Sequence, residues 1–529
     1  MKNLVLKNGL VYDPINGIRG ERCDLHIVDG RLTDKLDKSA KTLDCSGMIV
    51  LPSGVDIHTH CCGSIVNSAR MMRPESFGAG NPPVPTTRAT GRLYSQLGYT
   101  HVNESAVAPL YAIHMHHEFN HTPCVDKTGL VLVGNNHQLM EYISGGEQDK
   151  AIAWLAYLLS KTKTYGIKAV NPGGYIAWEN SGDIKRLDDE IPGYAITPAD
   201  VISSLVNAQN SLGLPHPLHL HLNNIGRPGS WETALETLKL DLKMHVTHLQ
   251  FSCYGGEGWR DMDSRADELA RQLNKNKNVT VDMGQVVFGE TTTLTADAPF
   301  EHYLGMISHG RWSNVDVENE AGGGVVPYNY RRKNPVNAIQ WACGLELALL
   351  VDDPWKISLS TDHPNAGLFR DYPKIIAWLM DKKQRLGELN KCHPAAREKT
   401  TLESLSRELT LEEIVIMTRA GPAKRLGLDY SLGVGCPANI SVYDLDPDAA
   451  DGEQIIRAFS KAKYTIKDGV IVYGNDLTRD VEGKTIYVKP RQDVDLTDDL
   501  RKRFKYYSVN EINYGVKQEH IQRGGEVVL

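Results

Sequence analysis

The sequence predicts an α/β protein whose central part is a (β/α)8 barrel. Apolar strand candidates, such as residues 166–170 and 279–283, alternate with stretches in which apolar residues recur at helical spacing, such as residues 152–162. Strands that alternate with helices indicate a parallel sheet, and the number of such units over about 350 residues favours a (β/α)8 barrel. In such barrels the chemistry lies at the carboxyl ends of the strands, so the polar residues that follow each apolar run are the candidates for function.

The two ends of the chain are predicted to consist of short strands and tight turns. Near the start, a turn is expected at Lys7-Asn8-Gly9 and a hairpin at Asp29-Gly30. Near the end, the strand candidates Tyr464–Ile466 and Val470–Tyr473 flank a further Asp-Gly turn. Residues 74–90, rich in Pro, Gly and Thr, are predicted to form a loop and are a candidate lid after the first barrel strand.

Composition excludes several classes of protein. The 529 residues carry a net charge of -7, which argues against a nucleic-acid-binding protein. No apolar run approaches the roughly 20 residues that cross a membrane, and the first six residues are too short and too soon polar for a signal peptide. We therefore expect a soluble cytoplasmic protein with at least two domains.

The nine cysteines include no Cys-x-x-Cys pair. A disulfide framework is therefore not expected, and neither is an iron–sulfur cluster, which usually needs four well-placed thiolates. If a redox reaction involves this protein, its electron carriers are expected elsewhere.

His58 and His60 follow the apolar run Val55-Asp56-Ile57. Alternate residues of a strand point to the same side, so both imidazoles are expected on one face, where they suit zinc or a similar divalent ion. An isolated pair of this kind is more often two unrelated polar residues at a turn. Lys168 lies in an apolar strand, where a neutral amine can react with carbon dioxide to give a carbamate that bridges two cations. A lysine that simply reaches solvent is the commoner case.

Two further strand candidates each carry a pair of histidines. His221 and His248 lie at strand ends and are the better ligand candidates. His219 and His245 lie deeper, and we expect them in the core or as partners that orient a ligating imidazole.

Asp362 ends the predicted strand 357–361. A carboxylate there can bind a metal ion and accept a proton from its water, although an Asp in this setting is equally suited to cap a helix. The order of these residues is the strongest signal, because His-x-His, Lys, His, His and Asp occur at the ends of successive strand candidates. Each residue is a weak signal alone, and the ordered set is strong.

Two segments resemble the amidohydrolase superfamily. Residues 47–60, Gly-Met-Ile-Val-Leu-Pro-Ser-Gly-Val-Asp-Ile-His-Thr-His, are similar to its usual opening, and residues 423–428 with 433–439 are similar to its usual closing stretch. Members combine a metal-bearing (β/α)8 barrel with a small β-sandwich built from both chain ends. The resemblance implies a sandwich from residues 1–52 and 421–480, a barrel from residues 53–420 and a C-terminal extension from residues 481–529.

Within that superfamily the chain is most similar to the family formed by the A subunits of formylmethanofuran dehydrogenases and of bacterial formyltransferase/hydrolase complexes. The stretches that carry this resemblance are residues 134–136, 167–173, 247–251 with 254–256, 290–297 and 361–367. They are more specific than the ligands that the whole superfamily shares.

The resemblance implies two divalent metal ions, most simply zinc, held by His58, His60, carboxylated Lys168, His221, His248 and Asp362. It implies reversible hydrolysis of N-formylmethanofuran to formate and methanofuran, with Asp362 as the catalytic proton carrier. His363, Asn223 and Arg260 are candidates for orienting ligands or binding the carrier.

The implied partners are the other members of a multi-subunit complex. These are either molybdenum or tungsten and iron–sulfur subunits, or a formyltransferase subunit, and the sequence leaves both open. Two alternative functions also remain: an amidohydrolase that acts on cyclic amides, and a non-catalytic subunit that scaffolds or channels.

Overall fold

The computed structural model describes residues 3–35, 37–73, 82–315, 323–448, 451–491, 494–508 and 510–529. Five strands open the chain: β1 (Leu4–Asp13), β2 (Ile18–Val28), β3 (Arg31–Thr33), β4 (Lys41–Asp44) and β5 (Ile49–Pro52). The hairpin predicted at Asp29-Gly30 is confirmed, since Val28 pairs with Arg31 and both turn residues have the positive φ that this tight turn needs.

The turn predicted at Lys7-Asn8-Gly9 is wrong. The segment is the middle of one continuous strand, β1, and its extra residue is absorbed by a register shift between Leu6 and Gly9 against β2. Asn8 adopts φ 63°, a conformation that Asn tolerates better than most residues, so the same sequence signal serves a bulge instead of a reversal.

The barrel consists of eight parallel strands. The first seven are β6 (Gly54–Thr59), β7 (Tyr99–Val107), β8 (Asp126–Leu132), β9 (Gly166–Val170), β10 (Leu218–His221), β11 (Met244–Val246) and β12 (Val279–Asp282). An insertion then forms a separate three-stranded sheet of β13 (Gly289–Thr295), β14 (Ser313–Val315) and β15 (Gly323–Tyr330). The eighth barrel strand is the short β16 (Ile357–Ser358). A parallel bridge between Thr59 and His363 brings the last strand back to the first. The predicted (β/α)8 barrel is thereby confirmed.

Of the α-helices in the described residues, the first eleven lie between the first and last barrel strands, and the other eight follow the last one. In chain order they are α1 (Ser64–Met71), α2 (Thr87–Gln96), α3 (Ala112–Asn120), α4 (His137–Ser144), α5 (Gln148–Thr162), α6 (Gly174–Glu179), α7 (Pro198–Leu212), α8 (Ser230–Lys239), α9 (Ala266–Lys275), α10 (Ala298–Ser308), α11 (Pro335–Leu350), α12 (Tyr372–Met380), α13 (Lys382–Leu389), α14 (Ala395–Glu398), α15 (Leu411–Val415), α16 (Gly421–Arg425), α17 (Gly452–Ser460), α18 (Thr497–Tyr507) and α19 (Glu511–Tyr514). Local sequence sets their ends: α7 starts at a Thr197–Asp200 capping box with Pro198 in the first turn, and stops at Gly213 in the left-handed conformation. No helix among the described residues is long and apolar enough to cross a bilayer.

The two chain ends form one sheet. Strands β17 (Ile440–Tyr443), β18 (Tyr464–Lys467), β19 (Val470–Gly474) and β20 (Leu477–Thr478) continue from β5 and complete nine strands with β1–β4. The last strands, β21 (Thr485–Lys489) and β22 (Gly524–Val528), instead attach beside β8 of the barrel. A buried ion pair of 2.7 Å between Lys467 Nζ and Asp126 Oδ1 joins β18 to β8.

The loop predicted over residues 74–90 is described only in part. Residues 74–81 lie outside the described residues, and α2 already begins at Thr87. The final residues of the predicted loop are therefore helical, because Thr87 opens a helix whose inner face is buried against the barrel.

Candidate metal centre

The carboxyl ends of the first and last barrel strands bring His58, His60 and Asp362 together. Asp362 Oδ1 lies 3.1 Å from His58 Nε2 and 3.2 Å from His60 Nε2. Donor atoms of all three residues lie within 4.8 Å of one another, and the three side chains are buried. Asp362 does not cap an α-helix: its own N–H bonds to Ser360 Oγ, and it adopts a left-handed backbone conformation (φ 47°) four residues beyond the end of β16. One imidazole pair and one carboxylate thus converge on one point.

Lys168 lies at the same point, with its Nζ 3.2 Å from His58 Nε2. The side chain is buried in the middle of β9 and does not reach solvent. Burial lowers the pKa of Lys168 to about 8, against the opposing pull of Asp362 and Asp282. A substantial fraction of the amine is therefore neutral near pH 8, as carbamate formation requires.

His221 and His248 complete the group. Their ring centroids are 4.7 Å apart, and the His248 ring lies 5.3 Å from that of His58. Gly284 is needed here, because a Cβ at this position would collide with His248, which itself adopts a left-handed backbone conformation. Burial lowers the pKa of both imidazoles, which favours the neutral form that binds metal.

The donor set fits divalent metal ions. Four imidazoles, a carboxylate and a lysine that can become a carbamate are ligands typical of zinc and related ions. His248 Nδ1 is buried and forms no hydrogen bond with the described residues. Buried polar atoms without a partner are costly, and a bound cation would satisfy acceptors of this kind.

Asp282, at the end of β12, orients this cluster, and no pattern in the sequence had singled it out. Its Oδ2 lies 3.0 Å from His58 Nδ1 and 3.3 Å from His245 Nε2, and its Oδ1 accepts the His248 N–H at 2.9 Å. Burial opposes its ionisation, but His58 and His245 hold the pKa of Asp282 well below its usual value. A carboxylate oxygen only accepts, so His58 carries its proton on Nδ1 and turns Nε2 toward Lys168 and Asp362.

Glu104, within β7, acts in the same way on His60. It lies 2.9 Å from His60 Nδ1 and accepts the N–H groups of Cys61 and Cys62. Burial alone would lower the pKa of His60, but Asp362 and Glu104 raise it to about 9. Glu104 lies in a stretch, Tyr99–Val107, that was not predicted to carry a functional residue.

Asp297 is the partner of His221. Its Oδ2 lies 3.1 Å from His221 Nε2, while its Oδ1 accepts the N–H of Phe300 and caps α10. Asp297 is the last residue of the stretch 290–297, which carries the family resemblance and so marked this region as functional. The sequence did not predict that Asp297 contacts His221.

The deeper histidines lie behind the cluster. His219 Nε2 is 3.3 Å from His58 Nδ1, and His216 Nε2 is 2.9 Å from His219 Nδ1. His245 packs against His219 with ring centroids 4.9 Å apart. The expectation that His219 and His245 are core or orienting residues agrees with these contacts.

His363 and Asn223 lie close to the cluster, and their contacts differ. The backbone carbonyl of His363 accepts the His60 N–H at 2.7 Å, and its buried ring lies against Phe369. Asn223 Nδ2 donates to Asn171 Oδ1 at 2.7 Å, and its buried Oδ1 has no hydrogen-bond partner among the described residues.

Arg260 is not part of the cluster. Its side chain is exposed in the loop before α9, and no hydrogen bond or ion pair joins it to the histidines in the described part of the chain.

Comparisons with known proteins agree with this geometry. Residues 41–473 match the model of the amidohydrolase family. Protein FwdA of Methanocaldococcus jannaschii is 44% identical over 98% of this chain and 97% of its own length. The A subunit of the formyltransferase/hydrolase complex Fhc of Methylorubrum extorquens is 33% identical over 97% of this chain and 95% of its own.

A solved structure is similar over the whole length. A chain of the formyltransferase/hydrolase complex FhcABCD from Methylorubrum extorquens, crystallised with methylofuran, superposes with a TM-score of 0.93 and 31% identity, covering 99% of both chains. The family match covers most of this chain, and the barrel, the buried histidine cluster and the full-length relatives point the same way. The protein is therefore a hydrolase that belongs to the amidohydrolase family.

Proposed function

We propose that this chain hydrolyses the formamide bond of N-formylmethanofuran, reversibly, to give formate and methanofuran. The observation that carries the proposal is that the buried side chains of His58, His60, Lys168 and Asp362 converge, with contacts of 3.1–3.2 Å from Asp362 Oδ1 to the two imidazoles and from Lys168 Nζ to His58 Nε2. The chain also resembles a member of a complex that was crystallised with methylofuran. A formamide on a carrier amine is a substrate that such a centre can cleave at its C–N bond.

In this proposal two zinc ions would be held by His58, His60, carboxylated Lys168, His221, His248 and Asp362. When bound, the ions supply an acidified water and polarise the formyl oxygen, which is worth several kcal/mol of barrier. The carbamate on Lys168 would add a negative charge that offsets the repulsion between two cations.

Asp362 is the proposed proton carrier. Its carboxylate accepts the proton that the attacking water loses and then donates it to the leaving amine, so that the C–N bond breaks with a neutral amine as product. The backbone holds the group in place, since its N–H bonds to Ser360 Oγ at 2.8 Å and its carbonyl accepts the Asn365 N–H at 2.6 Å. Glu104 and Asp282 keep the two neighbouring imidazoles in the orientation that faces Asp362.

We propose that the chain acts as the hydrolytic subunit of a larger one-carbon complex. The support is the identity of its relatives, one of which belongs to a formyltransferase/hydrolase complex. The partners would be a formyltransferase subunit, or molybdenum or tungsten and iron–sulfur subunits.

The test is a substrate comparison with the purified, zinc-loaded chain. Formate release from N-formylmethanofuran is expected, with no turnover of hydantoin or dihydroorotate under the same conditions. Turnover of a cyclic amide in preference to the formamide would assign the chain to the first alternative function. A chain that binds no metal and turns over none of the three substrates would favour a scaffolding role.

A further inference from the structure

Four of the 19 histidines of the chain lie within eight residues, on α3 and directly after it: His114, His116, His117 and His121. Short stretches rich in histidine are typical of metal binding. His116 is buried and its Nε2 lies 2.8 Å from the Thr162 carbonyl oxygen, so it belongs to the interior. The other three line a surface cavity of about 450 Å³ that shares no residue with the candidate metal centre.

His117 and His121 are spaced so that they can bind one ion together. They are the only two histidines in the sequence that are four residues apart, and side chains at this spacing lie on the same side of a helix. His121 directly follows α3, but its N–H still bonds to the Glu118 carbonyl at 3.1 Å, so the helical path extends to it. With Glu118 the segment reads His-Glu-x-x-His, a pattern in which the two imidazoles of a helix bind zinc.

Glu118 has a different role from the glutamate of zinc hydrolases with this pattern. There the carboxylate acts as the general base of the reaction. Here its Oε1 accepts from Arg70 NH1 at 2.9 Å and lies 3.2 Å from His114 Nε2, while its Oε2 accepts the Gly63 N–H at 2.9 Å. The carboxylate is held by these contacts, so the pattern predicts metal binding without a hydrolytic step.

The surroundings of the two imidazoles favour a transition metal over a hard cation. Both side chains are exposed, and apart from a ring contact of His117 with His520, at 5.6 Å between centroids, neither forms a hydrogen bond or ion pair with the described residues. Both lie at the carboxyl end of α3, where the helix dipole attracts cations, although Thr86 and Thr87 bring the opposite end of α2 to the cavity. Mg²⁺ and Ca²⁺ need oxygen ligands, and the glutamate between the histidines is already paired, whereas imidazole suits Zn²⁺, Ni²⁺ and Cu²⁺.

We propose that His117 and His121 bind a divalent transition-metal ion such as Zn²⁺ at this surface cavity, with water in the remaining coordination positions. Two protein ligands hold an ion less tightly than the larger buried donor set, so this site fills only after the candidate metal centre. The ion fixes the last turn of α3, against which His520 of the C-terminal extension packs. The inference does not depend on the proposed hydrolysis.

The test is a calorimetric titration of zinc into the full-length chain after zinc loading and gel filtration, which removes loosely bound metal. Wild type is expected to take up one further equivalent, and His117→Asn and His121→Asn should each lose this binding step. His309→Asn replaces another exposed histidine and serves as the matched control, which should bind zinc like wild type. Mg²⁺ in excess should not compete.

A second readout reports the ligands themselves. One equivalent of Cu²⁺ added to the same zinc-loaded protein should give an electron paramagnetic resonance spectrum with coupling to imidazole nitrogens, and this coupling should be lost in both variants. Because both substitutions replace exposed side chains, circular dichroism of the variants should match wild type. The inference is wrong if wild type takes up no further ion, if either variant keeps full binding, or if His309→Asn loses it to the same extent.

Discussion

Replacing Asp282 with Asn tests whether a carboxylate behind the cluster sets the orientation of the metal-facing imidazole. Asp282 uses both oxygens as acceptors, one for the His248 N–H and the other for His58 Nδ1 and His245 Nε2. An amide offers only one acceptor atom, so its NH2 group must face at least one of these donors. If it faces His58, the ring is driven to the other tautomer and directs a proton at the metal.

The size of the effect follows from these contacts. Loss of a partner that orients a ligating histidine typically lowers metal affinity about 10–100-fold, which is about 1.4–2.8 kcal/mol. The variant should also lose about 1–3 kcal/mol of stability, because a buried donor is left without an acceptor. The two losses are separable, since unfolding of the metal-free protein reports only the second.

The assay is a competitive zinc titration of metal-free wild type and Asp282→Asn, with denaturant unfolding of the same samples. Asp188→Asn is the matched control, because the Asp188 side chain is 76% exposed and should leave both measurements unchanged. Zinc affinity within a factor of two of wild type in Asp282→Asn would refute the idea that this carboxylate fixes His58.

Three further predictions concern the proposed ligands and the fold. Lys168→Ala should lose bound zinc and formate release together, whereas exposed Lys239→Ala should keep both; an unchanged metal content by elemental analysis would remove the bridging carbamate. Asp362→Asn should retain zinc but lower kcat by at least about 100-fold, the usual contribution of positioned proton transfer, and retained turnover would exclude Asp362 as the proton carrier. Lys467→Met should destabilise the fold by about 3–5 kcal/mol at pH 7, because Asp126 then stays buried without its cation. Burial acts to raise the pKa of Asp126, but the contact with Lys467 outweighs burial and lowers this pKa in the folded protein. The ion pair therefore contributes its full stability above the unfolded pKa of about 4, and this contribution is lost as the pH falls through the lower pKa that Asp126 has in the folded protein. Chemical unfolding at pH 7 and pH 3 checks this, and an equal loss at both values would contradict it.

The sequence could predict the members of the cluster because the barrel imposes their positions. The carboxyl ends of parallel strands meet at one rim, so polar residues that follow successive apolar runs must converge there. His58, Lys168 and Asp362 are far apart in the chain. In the structure, Lys168 Nζ lies 3.2 Å and Asp362 Oδ1 lies 3.1 Å from the same atom, His58 Nε2.

The carboxylates behind the imidazoles could not be assigned in the same way. Asp282 ends a barrel strand and Glu104 lies within one, but which histidine each carboxylate contacts depends on side-chain geometry that no local pattern encodes. Asp297 lies in the inserted β13–β15 segment, outside the strand–helix repeat, so the barrel rule gives it no place.

Strand lengths were also set by tertiary contacts. The strand predicted at residues 357–361 is paired only over Ile357–Ser358. Beyond it the Ser360 carbonyl still accepts the Gln285 N–H, and the Ser360 hydroxyl accepts the Asp362 N–H, which holds the backbone of Asp362 beside the histidines.

The most direct test of the proposed function is formate release from N-formylmethanofuran as zinc is returned to the metal-free chain. We expect no activity without metal and a plateau at two zinc equivalents per polypeptide. Full activity in the metal-free protein, or a zinc-replete protein that releases no formate, would contradict the proposal.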